Sequence, residues 1–202
     1  MIKTFSSGIL GANTHLFYDE NSDEGIVVDC GNDPSEVNLF CMQKGINVKY
    51  VVLTHGHYDH AHFFREYKNT FKSAKTVCHR DEIPVLTNAM ANVSILFGDS
   101  ETYPLPDETV TDGDELTVGR YTFRVIHTPG HTPGGICLYC EEEKLMFTGD
   151  TLFCGGIGRT DFLYGDEAVM ISSLQMLLNM DGEIEFYSGH GCEGKIKNER
   201  YF

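Results

Sequence analysis

The sequence predicts a mixed α/β domain, built of two sheets or of one sheet covered by helices, and three observations carry that prediction. Apolar runs of strand length, rich in Val, Ile, Phe and Tyr, recur along the whole 202-residue chain. Segments with helical periodicity interrupt them. Gly, Pro, Asn and Asp clusters mark the boundaries, and no linker, repeat or low-complexity stretch divides the chain. Residues 1–202 therefore read as one domain, long enough to bury a hydrophobic core.

Taken in order, Phe17-Tyr18 and Ile26-Val27-Val28 flank a polar turn at 21–25 and read as a hairpin. Asp33 has the chemistry of an N-cap, Pro34 suits a first helical position and Gly45 suits a stop, giving a helix over 34–44. Tyr50-Val51-Val52-Leu53 is a short buried strand. A helix is expected over 61–67, a strand over 75–78 and another helix over 81–88. Residues 110–114 form a turn, and 116–118 and 121–126 alternate as strands around Gly119. Ile136 to Tyr139 and Leu145 to Phe147 form a hairpin around 141–144. The best helix runs over 166–178, with Ala168, Ile171, Leu174, Leu177 and Leu178 on one face. The last strand is 184–187.

Composition narrows the function. A formal charge of −15 with no basic run disfavours nucleic acid as a partner, because that binding depends on clustered Lys and Arg. No stretch approaches the roughly 20 apolar residues of a membrane span. The N-terminal segment holds no apolar run of signal-peptide length, so a cytoplasmic location is expected. The seven cysteines follow no disulfide framework, and reduced thiols are expected. Cys137 and Cys140 form a CxxC, but on a strand their sulfurs point to opposite faces, which argues against a redox or metal pair.

The chemistry is concentrated in Thr54-His55-Gly56-His57-Tyr58-Asp59-His60. Four ligand-type side chains lie within six residues, directly after an apolar strand. His55 and His57 point the same way off an extended chain, and Asp59 and His60 turn back at a helix start. Imidazoles with carboxylates suit zinc, iron or manganese. Three more donors arise with the same grammar of apolar strand, small residue, ligand: His131 in the turn 127–135, Asp150 after Leu145-Met146-Phe147-Thr148-Gly149, and His190 after Phe186-Tyr187-Ser188-Gly189. Such a pattern gathers ligands along one edge of a sheet.

These four blocks in this order resemble the metallo-β-lactamase superfamily, and in detail its glyoxalase II branch of hydroxyacylglutathione hydrolases, over nearly the whole chain. The resemblance implies a four-layer αββα sandwich with two divalent metal ions at one edge, zinc foremost and iron or manganese as alternatives. It implies one ion on His55, His57 and His131, the other on Asp59, His60 and His190, and Asp150 bridging them. The implied reaction is hydrolysis of a small thioester or ester by metal-bound hydroxide, with Asp59 orienting the hydroxide as the catalytic residue. Asp at position 150, where the best-known β-lactamases have Cys, speaks against antibiotic hydrolysis.

The pattern departs from the family in places. The helical region with which long glyoxalase II enzymes grip glutathione is missing, and Lys195, Lys197 and Arg200 read as a solvated tail. The family's small residue after the first motif is His62 here, expected beside the ligands or on a helix face rather than as a donor. His79 and His127 are expected to make structural hydrogen bonds, and His15 belongs to no motif. Cys154 and Cys192 read as small buried fillers. The Gly-rich run 155–161 lacks the ending of a phosphate loop and reads as a tight loop near the metals, held by an Arg159–Asp161 pair. The Gly158-Arg159-Thr160-Asp161-Phe162 run is shared with persulfide dioxygenases of the same superfamily. These bind one iron through ligands matching His55, His131 and Asp150. That oxidoreductase, an ester or lactone hydrolase, and a non-catalytic metal-binding module are the competing readings.

Overall fold

The central strands of this protein, such as Glu24–Val28 and Leu145–Gly149, are buried on both sides, which only a sheet covered on both faces accommodates. The computed structural model describes residues 1–200 and resolves the sheet question in favour of two. The first sheet holds β1 (Ile2–Phe5), β2 (Thr14–Asp19), β3 (Glu24–Val28), β4 (Asn47–Val52), β5 (Lys75–His79) and β6 (Glu108–Val110) in that spatial order. The second holds β7 (Glu115–Val118), β8 (Tyr121–His127), β9 (Ile136–Cys140) and β10 (Leu145–Gly149). A two-stranded ribbon, β11 (Leu152–Phe153) with β12 (Gly156–Ile157), follows, and β13 (Glu185–Ser188) and β14 (Gly194–Lys195) complete the second sheet beyond β10.

The alternation of side chains builds the layers. Phe17, Ile26, Val28, Val52 and Val77 of the first sheet meet Phe123, Val125, Ile136, Leu138 and Phe147 of the second in a shared core. The opposite faces of the same strands present Leu16, Val27 and Val51 to α1 (Pro34–Lys44), α2 (Tyr58–Ala61) and α3 (Phe64–Thr70). After the one-turn α4 (Ile83–Leu86), the long α5 (Glu167–Leu178) covers the outer face of the second sheet through Met170, Leu174 and Leu177. The result is αββα. Burial of side chains of this size stabilises by roughly 1.5–3 kcal/mol each. Cys137 lies in the outer layer and Cys140 between the sheets, on opposite faces as expected.

The first helix follows the sequence closely: Asp33 accepts from the Ser35 N–H, and Gly45 closes the helix with φ 72°. Other elements differ from expectation. The helix over 61–67 is two helices, α2 and α3, broken at His62–Phe63, where the Phe63 N–H leaves the helical ladder to donate to the Cys30 carbonyl. The helix over 81–88 shrinks to a 3-10 turn, Arg80–Glu82, and α4. The buried stripe of α5 is Met170, Ser173, Leu174 and Leu177, and Ala168 and Ile171 face outward. A serine belongs to that stripe because its hydroxyl donates to the Pro129 carbonyl. Strands β1 and β6 edge the first sheet without an expectation having been raised for them, and β14 follows the strand expected to be last. No helix is long and apolar enough to cross a membrane among the described residues.

Candidate metal centre

All seven expected donors meet at one edge of the sandwich. His55 and His57 follow β4, Asp59 and His60 ride on α2, His131 lies between β8 and β9, Asp150 follows β10 and His190 follows β13. Two donor trios result, His55 with His57 and His131, and Asp59 with His60 and His190, each with candidate ligand atoms within 4.8 Å of one another. In the first, His57 Nδ1 faces His131 Nε2 at 2.8 Å, and the three rings stand at 76–89° to each other. In the second, His190 Nε2 lies 3.1 Å from Asp59 Oδ2 and 3.3 Å from His60 Nε2. Asp150 sits between them, with Oδ1 3.2 Å from His60 and Oδ2 3.6 Å from both His131 and His190. Its carboxylate thus lies within 3.6 Å of histidines of both trios, the placement of a group shared between them.

The chain fixes which nitrogen three of the imidazoles offer. His131 donates from Nδ1 to the Arg159 carbonyl at 2.6 Å, leaving Nε2 for the cleft. His60 donates from Nδ1 to Asp29 Oδ2 at 2.8 Å, again freeing Nε2. The Thr54 hydroxyl donates to Asp29 at 2.8 Å, so its oxygen is left to accept from His55 Nδ1 at 3.1 Å. Hydrogen bonds of this kind set the tautomer and orient a ligand. Asp29 and Glu82 complete the support, and sequence reasoning missed both. Asp29 had a readable signal, since it follows the apolar Ile26-Val27-Val28 just as Asp150 follows its strand. Glu82 had none: it lies fully buried and accepts from Gly56 N at 2.7 Å, Thr132 Oγ1 at 2.9 Å and Gly134 N at 2.8 Å, tying the first motif to the His131 turn.

The donor set fits divalent ions on its own physics. His55 Nε2 is buried with no hydrogen-bond partner, a costly state unless a cation takes its lone pair. Burial and the neighbouring imidazoles push His55 and His57 well below the usual histidine range, so they are neutral, the form that binds a metal. Around the second trio, burial opposes charge, but Asp150, Asp29 and Asp59 outweigh it and raise His60, and the Asp59 hydrogen bond and Asp150 likewise raise His190. Asp59 and Asp150 are correspondingly lowered despite burial. Two glycines admit this crowding: a Cβ on Gly158 would strike the Asp150 backbone, and one on Gly189 the Asp150 carboxylate and the His60 ring.

Beside the donors lies a cleft of about 370 Å³. His57, Asp59, His131, Asp150 and His190 face it along with Arg159, whose guanidinium makes the expected pair with Asp161 through two contacts of 2.7 Å. The remaining expectations divide. His62 packs edge-on against Tyr58 and Phe63 and belongs to neither trio. His79 and His127 stack on one another, and His15 bonds the Ser188 carbonyl. Cys154 and Cys192 are exposed, not buried, because they sit in the β11–β12 turn and in the loop after His190 rather than under a sheet. The tail is not simply solvated: Ile196 is buried, Lys195 and Lys197 pair with Glu183, and Arg200 donates to the carbonyls of Leu178 and Met180.

An αββα sandwich with clustered His and Asp donors at its edge defines a metallo-hydrolase type of protein. A family model described as the metallo-beta-lactamase superfamily matches residues 8–190, and the chain belongs to that superfamily. It is 33% identical to the hydroxyacylglutathione hydrolase GloC of Haemophilus influenzae, over 93% of this chain and 89% of that protein. The structure is similar to that of BLEG-1, described as a B3 metallo-beta-lactamase, with TM-score 0.92 and 31% identity over 100% of this chain and 97% of the other. It is also similar to TTHA1623 in a di-iron-bound form, with TM-score 0.87 and 26% identity over 98% of this chain and 97% of the other. The chain is thus placed among metal-dependent hydrolases.

Proposed function

We propose that the protein hydrolyses small thioesters with two divalent ions, held by His55, His57 and His131 on one side and by Asp59, His60 and His190 on the other, with Asp150 between. The observation that carries this reading is the placement of Asp150 between both trios, with His55 Nε2 buried and unpartnered. When bound, such ions supply hydroxide near neutral pH and polarise an acyl carbonyl. The chain's own part is to aim the imidazoles, to exclude bulk water from the buried donors and to set Asp59 at the cleft, where its carboxylate orients the attacking water by accepting a hydrogen bond. Zinc is the proposed metal, since it accepts both imidazole and carboxylate and suits a departing thiolate. Likeness to GloC supports a hydroxyacyl thioester as substrate. With the described cysteines all free thiols, the cytoplasm is the proposed setting.

The test pairs metal content by mass spectrometry with thiol release from S-lactoylglutathione. About two metals per chain with thiol release is the expected result. One iron per chain, no thiol release and oxygen uptake with glutathione persulfide would replace the proposal by the dioxygenase, a reading that the Gly158–Phe162 run favours. A β-lactam belongs in the same assay because of the likeness to BLEG-1, and preferential ring opening would overturn the thioester assignment.

A further inference from the structure

The walls of the cleft are of a different character from its floor. Leu10, Val93, Phe97, Phe153, Ile157 and Phe162 form them, and Arg159 is the one cationic residue among the lining residues. That cation is already engaged, by both oxygens of Asp161 and by the face of Phe162 at 4.0 Å from the ring centroid. Lys195, Lys197 and Arg200 are not among the lining residues, and they pair with Glu183 and with helix-end carbonyls. Two of the walls are held in unfavourable backbone conformations. Leu10 has φ 56° and Val93 φ 60°, the left-handed region that a β-branched residue rarely enters and where Gly or Asn sits at lower cost. Leu10 is nonetheless 59% exposed, so burial of its own side chain does not account for the choice of leucine. Val93 is 5% exposed and packs in the core, so burial accounts for its side chain; it opens the 3-10 turn Ser94–Phe97, and Phe97 is fixed in turn by stacking on Tyr58 at 5.4 Å and 8°. Strain maintained at Leu10, an exposed residue that faces the cleft, points to what the cleft must present.

We infer that the cleft takes most of its substrate affinity from an uncharged apolar group next to the thioester, with the carboxylates of a peptide thiol such as glutathione adding little; this rests on the hydrolase reading above and names its substrate class. Recognition of a peptide thiol requires cations free to meet its carboxylates. Recognition of an alkyl chain requires rigid apolar walls beside the reacting group, which is the arrangement here.

The test is calorimetric binding to the zinc-loaded protein, using non-hydrolysable thioethers so that turnover plays no part. The probes are the S-methyl to S-hexyl ethers of N-acetylcysteamine, which are neutral, and S-hexylglutathione. Affinity is expected to rise about threefold to fourfold per added methylene, and the glutathione head is expected to add less than about threefold. A flat series, or S-hexylglutathione binding tenfold tighter than its neutral counterpart, overturns the inference. Leu10→Asn is expected to weaken the S-hexyl ether about fivefold while the melting temperature stays level or rises, since Asn accepts the left-handed conformation. A lower melting temperature with an unchanged series would make Leu10 merely structural and count against the inference. So would a change of oligomeric state with an unchanged series, which would assign the apolar rim to a second copy of the chain. Thiol release is read separately: its absence with the series intact removes the thioesterase proposal and leaves the preference for apolar chains standing.

Discussion

His79, Asp81 and His127 bring candidate donor atoms as close together as His55, His57 and His131 do, within 4.8 Å in each case, yet the two trios are built differently. His79 and His127 lie face to face, with ring centroids 4.0 Å apart and planes 13° apart. An imidazole lone pair lies in the plane of its ring, so two nearly parallel rings cannot aim at one point between them. One nitrogen of each ring is also engaged, His79 Nδ1 accepting from the Asp81 N–H and His127 Nε2 donating to the Pro133 carbonyl. In the other trio the ring planes stand nearly perpendicular, and His55 Nε2 is buried without a partner. Proximity of donors is common to both; convergent lone pairs left unsatisfied distinguish a metal centre from a histidine stack.

The sharpest attempt to break this comparison is His57→Ala, or Asp150→Asn where charge alone is to be changed. Either variant is expected to lose metal and to reduce thioester hydrolysis at least ~1,000-fold, because Lewis-acid catalysis carries several kcal/mol of the rate. Metal analysis alongside turnover checks it, and two retained ions at full activity would dissolve the distinction between the trios.

Glu82 offers the next largest effect, since it joins the loops that present the first trio. In Glu82→Ala three buried donors lose their acceptor, which costs roughly 2–4 kcal/mol of stability and weakens metal affinity about 10- to 100-fold. The effect carries a pH signature in the metal-free protein. Burial pushes the Glu82 carboxyl up to about 7 against an ordinary 4.5, with its three hydrogen bonds pulling the other way. A carboxyl raised on folding contributes stability that is fully present below about 4.5 and lost as pH rises through about 7. Urea denaturation should therefore find a larger deficit for Glu82→Ala at pH 5 than at pH 8. An equal deficit at both would mean that the carboxyl titrates normally.

The smallest effect is expected from His127→Phe, which keeps a ring against His79 while removing both nitrogens. Metal content and activity should match the unmodified chain, with a stability change within ~1 kcal/mol for the lost bond to Pro133. Loss of one metal per chain would show that the stacked trio holds an ion after all.

Legibility in the sequence follows how local each cause is. The helix Pro34–Lys44 was readable at both ends because its cap, its proline and its left-handed glycine act within their own turns. The clustering of the seven candidate donors was readable because each follows an apolar strand or another candidate already identified. The stripe of α5 was misread because Ser173 is apolar only in its setting, where a carbonyl from another loop satisfies it. Glu82 was invisible for the same reason: its partners Gly56, Thr132 and Gly134 lie in two other segments.

The sequence by itself determined the alternation of strands and helices, the superfamily resemblance and which seven candidate donors to look for. Hydrophobic period, turn chemistry and residue type are properties of neighbouring positions. Only the tertiary structure decided that two sheets face each other, that Asp150 lies between the trios, that the His79 pair stacks instead of converging, and that strained Leu10 and Val93 wall the cleft. Each of those depends on the direction in which a side chain meets another from a distant segment, and direction across the fold is set by packing, not by order along the chain.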